Sequence, residues 1–135
     1  MRDGQTQKFK KAAVRSGIKE FLARFNAKIV LVSGTSAGQE FQLDGKPLTV
    51  GRGPGVDVAL DDATMSRQHA AIEYSREGFR IRDLGSTNGI LLNGKPVQVG
   101  DLDHGDRFQI GTLRFQIVIE ERAETPDTYE LSSET

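Results

Sequence analysis

The chain has 135 residues, 36% hydrophobic and 27% charged, with a formal net charge of −1. This balance fits one soluble domain with room for tails, and no apolar run approaches the ~20 residues of a membrane-spanning helix. With no cysteine and only His69 and His104 as histidines, disulfides and thiol nucleophiles are excluded, and neither a metal site nor a cofactor is expected.

In chain order, residues 1–26 read as a basic amphipathic helical extension. The stretch MRDGQTQKFKK is too polar for a secretory signal, so a cytoplasmic location is expected. Val14, Ile18, Phe21, Leu22 and Phe25 recur as one helical face, with Lys8, Arg15 and Lys19 on an adjacent side. Gly17 weakens such a helix by up to ~1 kcal/mol relative to alanine, so docking is needed to hold it. Residues 1–28 carry eight basic and two acidic side chains, a net +6. The face is expected to pack on the rest of the chain or on a second copy. Membrane-surface binding by residues 8–25 is a further option. Nucleic acid is not an expected partner, since no interleaved aromatics offer stacking platforms.

Residues 27–120 read as short strands separated by turns: KIVLV, EFQL, LTVG, DVAL, HAAIEYS, FRIRDL, ILLN, RFQI and LRFQIVIE. Phe79, Ile81 and Asp83 alternate with Arg80 and Arg82, and Leu113, Phe115, Ile117 and Ile119 alternate with mainly polar neighbours. Period two with regular turn signals predicts an all-β antiparallel sandwich. Asn93-Gly94 predicts a tight hairpin. GILLNGKP (89–96) begins like a nucleotide-binding loop, but Pro96 stands where a hydroxyl must reach magnesium, and Ile90, Leu91 and Leu92 suit a strand.

Three inter-strand segments hold most of the chemistry: GRGPG (51–55), SRQH (66–69) and GSTNG (85–89). They supply two guanidinium groups, several hydroxyls and an amide, with no carboxylate of their own to act as general base. This inventory suits holding an anion rather than turning one over. Polar turns that meet nothing are the alternative reading. With no second ligand or acidic partner at a usable spacing, His69 reads as a hydrogen-bonded structural residue rather than a catalytic one, and His104 reads as an exposed turn residue.

The order GR, SRQHA, DLGSTNG, NG and GDRFQIG resembles the forkhead-associated (FHA) domain, from about Ile29 to Ile119. The resemblance implies an eleven-stranded, SMAD-like β-sandwich whose loops bind phosphothreonine in an extended peptide. It assigns Arg52, Ser66 and Arg67 to the phosphate, Thr87 to the lining of the site and Asn88 to the peptide backbone. Gly51 and His69 then support the loops. The implied function is non-catalytic phosphopeptide recognition downstream of a Ser/Thr protein kinase, with a phosphate-independent scaffold or assembly protein, open to self-association, as the alternative.

Residues 121–135 read as a disordered acidic tail. From 120 to 135, six acidic residues face one arginine, a net −5, so the two ends of the chain carry opposite charge. Thr125 and Thr128 are candidate phosphorylation sites. About eight residues of tether, at most ~28 Å, put Thr128 in range of the chain's own pocket or a neighbour's.

Overall fold

The computed structural model describes residues 17–75 and 78–122. Val14, most of the basic extension, and the acidic segment with Thr125 and Thr128 lie outside the described residues. The first described element is α1 (Ile18–Arg24). Among the described residues eleven strands follow. They are β1 (Phe25–Leu31), β2 (Glu40–Gln42), β3 (Leu48–Gly51), β4 (Val58–Ala59), β5 (Ala70–Ser75) and β6 (Gly78–Asp83). The rest are β7 (Ile90–Leu92), β8 (Lys95–Val97), β9 (Val99–Leu102), β10 (Arg107–Ile110) and β11 (Leu113–Glu121).

The strands form two sheets, one in the order β2-β1-β11-β10-β7-β8 and the other β4-β3-β5-β6-β9. Inward positions alternate as the period-two pattern requires. Ile29, Leu31, Phe108, Ile110, Phe115 and Ile117 come from the first sheet, and Val50, Ile72, Phe79, Ile81 and Leu102 from the second. Phe108 and Phe115 stack with centroids 5.3 Å apart at the centre of the first sheet. Each such side chain contributes about 1.5–3 kcal/mol on burial, enough in sum to hold two sheets together. The sandwich expected from the sequence is therefore present.

Three details differ from the expectation. Pairing is antiparallel except between β3 and β4, which run parallel through Val50–Val58 and Gly51–Ala59. Strands β8 and β9 carry no period-two signal, because β8 contains Pro96 and β9 contains Gly100. Proline is tolerated in β8 because that strand is an edge of its sheet, where a missing N–H costs no ladder bond. The third difference is the helix, which ends at Arg24 rather than near residue 26. Phe25 is extended (φ −133°, ψ 151°) and begins β1 by pairing with Glu121. The apolar spacing that suggested a continuous helix face reflects a real contact, since Phe21 and Phe25 stack at 5.0 Å. They meet across a helix–strand junction, where the long pairing of β1 with β11 outweighs local periodicity. A helix of seven residues is unstable alone. Here Phe21 anchors it, wholly buried against Phe25, Tyr74 and Phe79.

The turn at 93–94 forms as expected. Asn93 (φ 50°) and Gly94 (φ 86°) both take positive φ, which matches the twist of the hairpin strands. The supposed nucleotide loop is this hairpin, with Leu91 opposite Pro96. His104 is an exposed turn residue whose Nδ1 accepts the Ile119 N–H.

The fold separates two ends of the molecule. Arg122 donates from Nε to the Leu22 carbonyl (2.6 Å) and from its N–H to the Arg24 carbonyl (2.8 Å). The C-terminal end of α1 and the residue that follows β11 are therefore held together. At the other end of β11 the turn Gly111–Thr112 meets the loop before β5, as Thr112 donates to Asp62. From Leu113 to Glu121 is eight steps of about 3.3 Å, roughly 26 Å.

Candidate functional site

The three segments singled out in the sequence lie together at that second end, in the loops β3–β4, β4–β5 and β6–β7. Backbone bonds bring the first two side by side. The Arg52 N–H donates to the Ser66 carbonyl (3.0 Å) and the Gly53 N–H to the Arg67 carbonyl (3.3 Å). The approach depends on glycine: a Cβ on Gly51 would stand 2.0 Å from the Arg67 carbonyl oxygen, and one on Gly53 would press on the Arg67 side-chain stem at 3.0–3.3 Å. Arg52 and Arg67 thus emerge from adjacent backbones, both exposed. Among the described residues the ion pairs are Lys28–Glu40, Arg80–Glu73 and Arg82–Glu73, so neither loop guanidinium has a carboxylate partner.

The third loop is joined by side chains. The Ser66 Oγ accepts the Thr87 N–H (3.1 Å), and its own proton has no acceptor among the described residues. Asn88 donates from Nδ2 to the Thr64 carbonyl (2.8 Å), which leaves Oδ1 free to accept a backbone N–H. Below them His69 is fully buried. Its Nδ1 accepts the Ser66 N–H (3.0 Å), so the proton sits on Nε2, which donates to the Gly89 carbonyl (2.8 Å). One imidazole spans two loops, and its burial keeps it from any ligand.

Two uncompensated guanidiniums, a free hydroxyl proton and a carboxamide oxygen converge on one surface. This set can hold a dianion through charge-assisted bonds and fix an extended chain beside it.

A family model described as FHA domain matches residues 48–111, which contain all three loops. A solved structure from work on phosphothreonine-dependent FHA domain interactions is 30% identical, with TM-score 0.63, covering 69% of this chain and 95% of that one. The chain belongs to the FHA domain family.

Among curated relatives, the glycogen accumulation regulator GarA of Mycobacterium tuberculosis is 40% identical over 99 residues, 73% of this chain. The oxoglutarate dehydrogenase inhibitor of Corynebacterium jeikeium is 38% identical over 95 residues, 70% of this chain. The matches span 60% and 66% of those relatives' lengths. The FhaA FHA domain, solved in complex with the intracellular domain of Rv3910, is 31% identical with TM-score 0.62, covering 67% of this chain and 98% of that one.

The tertiary structure adds residues to this FHA site that sequence reasoning missed. Asp83 Oδ2 accepts the N–H groups of Gly85 and Ser86 (both 3.1 Å), Ser86 Oγ bonds Asp83 Oδ1, and the Gly89 N–H donates to Ser86 Oγ (2.8 Å). An aspartate two residues before a glycine was the available signal, since Asp side chains readily fold a turn in this way. Asp62 had no comparable signal. It accepts the Thr64 hydroxyl and the Thr112 hydroxyl (both 2.6 Å), and so ties the loop before Ser66 to a turn 50 residues away.

Two expected outcomes follow from these contacts. Gly51→Ala places a methyl group against backbone that cannot rotate away, so the two arginine-bearing loops must part. We expect a lower melting temperature and loss of ligand binding, against a smaller fall with binding retained for Gly55→Ser, where a Cβ meets nothing within 4 Å and only the positive φ (86°) is strained. Calorimetric melting of both variants checks this.

The second outcome concerns acid. Hydrogen bonds from the Thr112 hydroxyl, and then from the Thr64 hydroxyl, lower the Asp62 carboxyl from 3.8 to about 2. A depressed folded-state value means this contribution is fully present above pH 3.8 and is lost as pH falls through 2. The melting difference between wild type and Asp62→Asn is therefore expected to be constant above that window and to shrink inside it. A difference unchanged down to the lowest pH would contradict the assignment.

Proposed function

We propose that this FHA domain is a phosphothreonine-peptide binding module of Ser/Thr kinase signalling, acting by recognition rather than catalysis. The observation that carries the reading is the placement of Arg52 and Arg67 on adjacent loops with no counter-ion among the described residues, beside a Ser66 hydroxyl whose proton has no acceptor there. Phosphorylation supplies what that surface lacks, close to two negative charges and three acceptor oxygens. Asn88 then accepts a peptide N–H, and Thr87 lines the site. Two similar structures point the same way by what they are described to bind: the phosphothreonine-dependent FHA domain already compared, and EmbR of Mycobacterium tuberculosis in complex with a low affinity phosphopeptide (26% identical, TM-score 0.64). GarA is named a regulator and its corynebacterial counterpart an inhibitor, so a regulatory role through binding a phosphorylated partner, with a kinase upstream, is the reading for this chain. No helix among the described residues is long and apolar enough to cross a membrane.

Isothermal titration with one peptide in phosphothreonine, phosphoserine and unmodified forms tests it. Binding confined to the phosphothreonine form is expected. Equal binding of the unmodified peptide would replace this reading with the phosphate-independent scaffold.

Thr125 and Thr128 remain candidate phosphorylation sites in this reading, and the fold supports recognition between molecules rather than within one. The site lies roughly 26 Å from Glu121 along β11, and Thr128, seven residues beyond Glu121, reaches about 25 Å only when fully extended back along that strand. The tether range read from the sequence alone allowed both routes. After phosphorylation of the full chain, sedimentation mass is expected to rise with protein concentration and to stay monomeric in Arg52→Ala. A concentration-independent monomer that no longer binds external phosphopeptide would mean the tail folds back.

A further inference from the structure

The outer face of the six-stranded sheet holds a second basic surface that the phosphate site does not use. A cleft of about 400 Å³ crosses β7, β10 and β11, lined among others by Leu91, Asn93, Arg107, Phe108, Gln109 and Arg114. Register explains the grouping. Leu91 lies opposite Gln109, Gln109 opposite Arg114, and Arg107 opposite Gln116. Because Phe108 and Phe115 point inward, Arg107, Gln109 and Arg114 share the outward face. The two arginines are diagonal neighbours, with Cα atoms about 7–8 Å apart.

Neither arginine has a carboxylate partner among the described residues. The nearest acid in sequence, Asp106, is already engaged: Oδ1 accepts from Asn93 Nδ2 (3.2 Å) and Oδ2 accepts the Asp103 N–H (2.8 Å). The opposite sheet behaves differently, since Arg80 and Arg82 there both face the carboxylate of Glu73. The charge left over on this face therefore belongs to the cleft.

We propose that this cleft docks an acidic segment of a partner protein, one that alternates carboxylates with apolar side chains. Two separated guanidiniums take two carboxylates, the Gln109 amide can bond the backbone between them, and the half-buried Leu91, opposite Gln109 on the same outward face, accepts the apolar side chain. An open cleft across three strands suits an extended chain better than a single small anion. The chain's own acidic tail is the weaker occupant. It departs from Arg122, and Arg114 stands eight steps back along β11, roughly 26 Å away, so that of its acids only Glu130 and Glu134 have the length to reach it. The proposal does not depend on phosphate recognition, and its test separates the two.

The test is amide-shift mapping on the full chain at low salt, with the unphosphorylated peptide Glu-Leu-Glu-Leu-Glu as probe. Shifts are expected at Leu91, Gln109 and Arg114, to weaken at least tenfold in an Arg107→Ala/Arg114→Ala variant with unchanged melting, and to persist undiminished in Arg52→Ala. Gln109→Glu, which leaves both arginines in place, is expected to weaken binding as well. Shifts confined to Arg52, Ser66 and Asn88, or no shifts at all, would overturn the proposal. So would cleft resonances that move with added salt alone and no longer do so in Glu124→Gln/Asp127→Asn/Glu130→Gln, because the tail would then be the occupant.

Discussion

Arg52→Ala is expected to abolish measurable phosphothreonine-peptide binding while leaving the melting temperature unchanged. The guanidinium is exposed and has no partner among the described residues, so its removal deletes charge without opening a cavity. What the backbone contributes survives, because the bond from the residue-52 N–H to the Ser66 carbonyl needs no side chain. A charge-assisted hydrogen bond is worth about 1.5–3 kcal/mol, and a planar guanidinium can make two to one phosphate. Loss of both costs about 3–6 kcal/mol, roughly a hundredfold or more in affinity. Arg52→Lys retains the charge but not the paired geometry and is expected to fall between. Titration of the three proteins with one phosphopeptide decides the matter. Unchanged affinity in the alanine variant would place the phosphate elsewhere.

The second large effect is on stability. His69→Ala is expected to destabilise the fold by about 3–5 kcal/mol, from two orphaned backbone groups and the cavity left by a wholly buried ring. At about 4–8 °C per kcal/mol for a domain of this size, melting falls by more than 10 °C. Peptide binding weakens too, measured well below the new transition, because the Ser66 N–H and the Gly89 carbonyl no longer share a bridge. A variant that melts like wild type yet loses all binding would make His69 a ligand contact. The two variants are expected to separate two roles, binding chemistry at Arg52 and the register of the loops at His69.

How much of this was legible in the sequence depended on range. Alternation in FRIRDL and LRFQIVIE identified β6 and β11, because period two is a property of neighbouring residues. Asn93-Gly94 identified its hairpin for the same reason, as positive φ is a local demand met by local residue types. Strand β8 was legible only as the return arm of that hairpin and β9 not at all, because Pro96 and Gly100 carry no strand preference; pairing with neighbours, at an edge in each case, makes them strands. Phe25 was read into the helix because a spacing of four cannot distinguish a continued helix from a helix that stops against a strand.

The site divides along the same line. The residue types, their order and their likeness to the FHA pattern were sufficient by themselves to single out Arg52, Ser66, Arg67, Thr87 and Asn88 and to separate His69 from them. That information lies in side-chain chemistry, which is present before folding. Only the tertiary structure decided that Ser66 Oγ receives the Thr87 N–H, that Asn88 leans on Thr64, and that Asp62 reaches Thr112. It alone put Arg24 with Arg122 and the three loops at opposite ends of β11, and left Arg107 and Arg114 together with no counter-ion among the described residues. Each of these joins residues from separate elements, and such contacts exist only once two sheets have packed and set a register between strands. No local preference encodes them, because their energy comes from partners that the chain meets only on folding.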